Sequence, residues 1–199
     1  MSSAPPCLLV LLGLGAAVLT ACGDPLMVKP GEHDEIGEAY RVDPQIEWSR
    51  QQDRKLQIWT VDGPLLEQLR LYADIADGDS LLPTPRRSIS KQKGEQRPKY
   101  HKGMRAHDVM ELVATTLAQS GAVDVGAGRL RPAEFGGRSG FRFDLRFESD
   151  LGVAYRGLAA GMITKDGRLH LILYMGAQPH YFDAYEAIIQ RILNSVVLL

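Results

Sequence analysis

Phe141, Phe143, Leu145 and Phe147 alternate with Arg142, Asp144, Arg146 and Glu148. This period of two constrains the fold more than anything else in the chain. It predicts a β-strand with one apolar, aromatic-rich face and one solvated face of alternating charge. Asp150-Leu151-Gly152 then turns the chain into Val153–Ile163, and Lys165-Asp166-Gly167 turns it again into Arg168–Met175. An Asp-Gly step between alternating runs is a strong hairpin signal. In the last run Leu169, Leu171, Leu173 and Met175 share one face, while His170, Ile172 and Tyr174 share the other. Both faces are largely apolar, so such a strand needs cover on both sides.

The cover is legible as two amphipathic helices. Val109, Met110, Leu112, Val113, Thr116 and Leu117 recur at helical spacing between His107 and Ser120, and Gly121 supplies the stop. Phe182, Tyr185, Ile188, Ile189, Ile192 and Leu193 do the same from Tyr181 to Asn194. Upstream, Lys55–Val61 alternates as a strand until Asp62-Gly63-Pro64 breaks it, and Leu65–Ile75 follows as a second strand. Consecutive antiparallel strands with helices packed on them define an α+β domain, placed at residues 45–199. Residues 22–44, with Pro25, Pro30, Gly31 and Gly37 among several acidic side chains, read as a flexible acidic tether. Inside the domain, residues 83–102 form a basic loop. Arg86, Arg87, Lys91, Lys93, Arg97, Lys99 and Lys102 face Glu95 alone, and prolines and a glycine disfavour regular structure.

The run Cys7–Leu19 is 13 residues of mostly Leu, Val, Ala and Gly. It is shorter than the roughly 20 residues that span a bilayer and fits the core of a secretory signal. Leu19-Thr20-Ala21-Cys22 closes it and resembles the lipobox of bacterial lipoproteins. The resemblance implies a signal peptide at residues 1–21, lipidation (palmitate included) of Cys22, and a mature chain of 178 residues facing the periplasm. Asp24 stands one place beyond the position that resembles an inner-membrane retention signal, which favours the outer membrane. Phe141–Phe147, Tyr155-Arg-Gly-Leu-Ala, Gly167–Tyr174, His180-Tyr-Phe-Asp and Ile192-Leu-Asn-Ser195 together look like the PsbP-like αβα sandwich. That fold occurs in extrinsic subunits of photosystem II and in bacterial envelope lipoproteins. The resemblance runs over Met104–Leu199 and rests on the order of elements. Trp59-Thr-Val-Asp-Gly is also similar to a segment of uncharacterised proteobacterial lipoproteins.

Chemistry is sparse. The 23 basic and 24 acidic residues give a net charge of −1, the balance of an ordinary globular domain and not of a nucleic-acid binder. Cys7 and Cys22 are the two cysteines, so a lipidated mature chain has no thiolate nucleophile, disulfide or Cys-ligated zinc site. No Gly-X-Ser-X-Gly, His-Glu-X-X-His or Walker sequence occurs. Phe135-Gly-Gly-Arg-Ser-Gly140 precedes a strand where a phosphate cradle precedes a helix, and reads as a turn. His107 and Glu111 share a helix face without an identifiable third ligand, and no metal or cofactor is expected. His180 with Asp183, and His170 beside Tyr174, are the acid–base candidates, set against a capping role for the first pair and a packing role for His170. The basic loop suits an anionic partner through Arg86, Arg87, Lys91, Lys93, Arg97 and Lys99, set against the reading of a merely solvated connection. With Tyr100 as its lone aromatic it does not suit nucleobases.

The expectation is a membrane-anchored envelope lipoprotein, not an enzyme, that acts as a binding or assembly accessory for an envelope protein or anionic polymer. A periplasmic hydrolase with a His-based site and a carrier of an apolar ligand are the alternatives.

Overall fold

A computed structural model describes residues 26–53, 55–82 and 97–199. The signal peptide, Cys22, Arg86, Arg87, Lys91 and Lys93 lie outside the described residues. The described strands are β1 (Leu26–Val28), β2 (Asp34–Ile36), β3 (Tyr40–Val42), β4 (Trp48–Asp53), β5 (Leu56–Thr60) and β6 (Glu67–Ile75). After helix α1 (Ala106–Gln119) come β7 (Val123–Phe135), β8 (Arg138–Glu148), β9 (Ala154–Ile163) and β10 (Leu169–Ala177). Helix α2 (Tyr181–Asn194) and β11 (Val197–Leu198) follow. Eight strands form one sheet in the order β1-β4-β5-β6-β10-β9-β8-β7, and β11-β3-β2 form a second, three-stranded sheet. All pairings are antiparallel.

All nine residues of β10 are buried, and the large sheet is covered on both faces as its sequence requires. Leu169, Leu171, Leu173 and Met175 pack with Phe141, Phe143 and Leu145 beneath the apolar stripe of α1. Ile172 and Tyr174 face the other way, among Trp48, Trp59, Leu69 and Leu71 and the α2 residues Phe182, Ile189 and Ile192. Gly176 lets α2 approach, since a Cβ there would meet the backbone of Phe182 at 2.7 Å. Gly136 and Gly137, with φ of 57° and 73°, make the two-residue turn that joins β7 to β8. Positive φ at both central positions is what a tight hairpin asks of its turn.

The structure corrects the sequence reading in two places. Residues 26–44, expected as part of a tether, are mostly built into the body, so that among the described residues it extends from Leu26 and not from residue 45. Val28, Ile36, Tyr40 and Val42 are buried in the α2-side core. Tyr40 stacks edge-on against Phe135 at 5.3 Å and donates to the Tyr72 carbonyl at 3.2 Å. The small sheet is also tied to the large one by polar contacts. Arg50 holds both carboxylate oxygens of Asp34 at 2.9 and 3.0 Å, and Gln57 donates to the Glu35 carbonyl at 3.0 Å. A few apolar residues spaced between prolines, glycines and acids were enough to close a core face. The second correction is β7, a 13-residue edge strand where no strand was expected, so that β8 begins at Arg138 instead of Phe141. Glycines, Pro132 and two register shifts hide its alternation, as is common on sheet edges.

Tyr40→Ala tests the first correction directly. Emptying a fully buried aromatic site costs about 3–5 kcal/mol of unfolding free energy, whereas the same change in a tether costs nothing. Denaturant unfolding of the two proteins separates the cases.

Candidate functional site

A cavity of about 500 Å³ opens where the small sheet meets the β6–β10 pair. Lys55, Asp74, Asp166, Arg168 and His170 line it, with Gly37, Glu38 and Ala39 from the turn between β2 and β3. Its centre is a defect in the ladder. Leu169 pairs with Ile75 but Leu171 pairs with Tyr72, so Ala73 and Asp74 together oppose His170. Asp74 takes a φ of 52° in this bulge, and its N–H is left without a ladder partner. The His170 ring fills the gap: its Nδ1 accepts from the Asp74 N–H at 3.1 Å. An unpartnered N–H there would carry a desolvation penalty of about 1–3 kcal/mol.

That contact fixes the chemistry of the imidazole. With Nδ1 accepting, the ring proton sits on Nε2 and the ring is neutral. Burial pushes the His170 pKa down, against the opposing pull of Asp74 and Asp166. No carboxylate backs the ring at Nδ1, as a base in a hydrolytic triad requires. The neighbouring hydroxyl, Thr164 Oγ1, is committed to its turn, donating to Asp166 and accepting from the Arg168 N–H at 2.9 Å. The cations are committed as well. Lys55 Nζ donates to the Asp74 carbonyl at 2.6 Å and to Asp79 at 2.9 Å, and Arg168 reaches Asp74 at 3.4 Å.

The basic segment is rooted beside this cleft. Gly78 N–H donates to the Tyr100 carbonyl and Tyr100 N–H to the Asp79 carbonyl, each at 2.8 Å, which clamps the two feet of the loop together. Tyr100 is fully buried and its hydroxyl donates to the Gly167 carbonyl at 3.2 Å. Asp77 accepts the Lys102 N–H at 3.0 Å, and this bond with His101 holds its carboxyl below the ordinary range. Asp79 joins foot to cleft: burial raises its pKa, but the Ala76 N–H and Lys55 outweigh that and hold it low. Arg97 and Lys99 are exposed.

The other candidates separate. His170 and Tyr174 do share a face, but the Tyr174 hydroxyl donates to the Tyr181 carbonyl at 2.9 Å. His180 precedes α2 without a side-chain cap and is exposed, while Asp183 accepts from Arg156 at 2.8 Å, so neither the acid–base pair nor the capping role is seen. His107 and Glu111 form an exposed i,i+4 pair at 3.4 Å. Among the described residues no three metal-ligating side chains cluster. Sequence reasoning missed Lys55, Asp74 and Arg168 as neighbours of His170, because a bulge and a third strand bring them together.

No family model and no curated protein matches the chain. Among solved structures, it is similar to the solution structure of cyanobacterial PsbP (CyanoP) from Synechocystis sp. PCC 6803, at a TM-score of 0.53 and 12% identity. The match covers 94% of this chain and 99% of that one, well beyond the C-terminal half that carries the sequence resemblance. At that identity the likeness shows the fold, which is PsbP-like and antiparallel, with more sheet than a simple sandwich.

The bulge gives a pH dependence of defined sign. A folded-state pKa below the ordinary imidazole value of about 6.5 means that the unfolded chain binds the proton more readily. Stability is therefore full above that value and is lost as pH falls from 6.5 through the depressed folded value. His170→Asn keeps an acceptor for the Asp74 N–H but does not titrate. The unfolding free energy of the parent, measured against this variant, is expected to fall on acidification through that window. Parallel curves contradict the assignment.

Proposed function

We propose that the protein is a lipid-anchored envelope lipoprotein, facing the periplasm with the outer membrane favoured, that serves as a non-catalytic binding or assembly accessory. The observation that carries the binding reading is the basic segment clamped at both feet beside an open polar cleft. The clamp fixes where the segment leaves the body, and its sequence carries the positive charges that attract an anionic partner. The lipobox-like Leu19–Cys22 sequence supports the anchor.

The two alternatives receive less support. A His-based hydrolase needs an oriented base beside a free nucleophile, and His170 and Thr164 are both committed to the backbone. A carrier of an apolar ligand needs an apolar cavity against the sheet. Here both sheet faces are filled by side chains, and the cleft is lined by charges.

Two measurements test this reading. Cys22→Ser is expected to abolish lipid labelling and membrane partitioning while leaving the body folded; retention in membranes after a high-salt wash contradicts the anchor. Reversal of Arg86, Arg87, Lys91 and Lys93 to Glu is expected to abolish retention on anionic vesicles or purified lipopolysaccharide with little change in stability. In the parent, that retention weakens with salt as the screening length falls from ~10 Å at 0.1 M to ~3 Å at 1 M. Equal retention of parent and variant contradicts the role of the loop.

A further inference from the structure

Toward the β7 edge of the large sheet, on the face that carries α2, lies another, smaller cavity of about 180 Å³. Four arginines line it, Arg129, Arg131, Arg142 and Arg156, against the two carboxylates of Asp144 and Glu186. Asp183, which does not line the cavity, pairs with Arg156 at 2.8 Å. Four cations against three carboxylates still leave one excess positive charge when it is counted. Asp144 is spent on the arginines at the edge, since Arg129 contacts it at 2.8 Å and Arg131 at 3.6 Å.

The arrangement is costly in ways an ordinary solvated edge is not. Arginines on β7 alone would be explained as protection of an exposed edge strand. Arg142, however, sits on the inner strand β8, half-buried, and stands directly across the ladder from Arg131. Like charges in that position repel. Its guanidinium donates to Gln190 on α2 at 2.7 Å, yet its Nε–H is buried and has no partner. Burial and the neighbouring Arg131 both work against its charge. Arg156 is held in place by stacking over Phe182, 4.2 Å from the ring centroid. The cations are assembled by backbone geometry too. A register shift between Gly128 and Arg131, with Arg129 at a φ of 54°, brings Arg129 and Arg131 onto the one carboxylate of Asp144. An anion placed among these guanidinium groups offsets the repulsion between them. A multidentate, multiply charged oxyanion suits clustered guanidinium forks best.

We propose that this arginine-lined cavity at the β7–β8 edge is a binding site for a phosphate group, with Arg129, Arg131, Arg142 and Arg156 supplying the guanidinium donors and the balancing charge. The group is either free phosphate or the phosphate of a lipid headgroup. The site is separate from the cleft and the basic loop and does not depend on their assigned role.

The test is titration of the full chain with inorganic phosphate, at ionic strength held constant with chloride, followed through the backbone amide signals of residues 129, 131 and 142 by proton–nitrogen NMR. A saturable shift is expected with phosphate and not with chloride. Arg142→Lys keeps the charge but loses the fork, and should weaken binding by roughly tenfold or more. Arg131→Gln, at a side chain 44% exposed that the fold does not need, should weaken it as well. Glu186→Gln, by deleting a repelling carboxylate, should tighten it. Equal response to chloride, absence of saturation, or wild-type affinity in both arginine variants overturns the proposal. A second arm separates the sources. Retention on phosphatidylcholine vesicles doped with phosphatidic acid, lost in Arg142→Lys and in Arg131→Gln, assigns a lipid headgroup. Retention unaffected by those changes, with saturable free phosphate, assigns the soluble ion.

Discussion

The architecture depends on burying both faces of β10. Every side chain from Leu169 to Ala177 is removed from water, and a strand of this kind cannot sit at a sheet surface open to solvent on either side. One face is closed by α1. The other is too wide for α2 alone, and the small sheet of β2, β3 and β11 completes it, with Tyr40 and Val42 fully buried there. The contribution is large because apolar burial stabilises by about 25 cal/mol per Å². The three short strands are thereby held in place by few side chains: Ile36 from β2, Tyr40 and Val42 from β3, and the partly buried Leu198 from β11.

The same closure creates the polar features. Where the small sheet ends, its β2–β3 turn stands over the bulge in β6, and the 500 Å³ cleft lies between them. His170 belongs to the face of β10 that must be covered, and a charged imidazole there would be expensive. The bulge resolves this by offering the ring an N–H to accept, which keeps it neutral and occupied. A histidine on an apolar face thus repairs the backbone and is not set up as a catalytic base. Where α2 ends its cover toward β7, the sheet face turns over to arginines. Both polar sites therefore lie at the margins of the apolar cover.

The parts of this fold that were legible in the sequence are those where local pattern and burial coincide. Phe141–Phe147 alternates because one face of β8 meets α1 and the other meets water and arginine. The stripes of α1 and α2 declare themselves in the same way. The N-terminal strands were not legible, because Ile36, Tyr40 and Val42 are single apolar residues whose partners are far along the chain. The edge strand β7 was hidden by its bulges, Pro132 and glycines, features that protect an edge and erase its period. The cleft was half legible. His170 was visible as a polar residue on an apolar face, but Lys55, Asp74 and Arg168 reach it only through strand order and a bulge. The arginine pocket was not legible at all, since Arg142 and its fellows read as the ordinary solvated face of an alternating strand.

The central structural claim is that residues 34–42 form part of the cover over β10 and one wall of the cleft. Native-state hydrogen exchange on the intact chain tests it most directly. β3 is the middle strand of the small sheet, paired with β2 on one side and β11 on the other. Its amides are expected to exchange slowly, together with those of β11 and the neighbouring core strands, through the opening of a shared unit. Exchange of the Tyr40–Val42 amides at the rate of an unstructured peptide, with β10 still protected, would contradict the account.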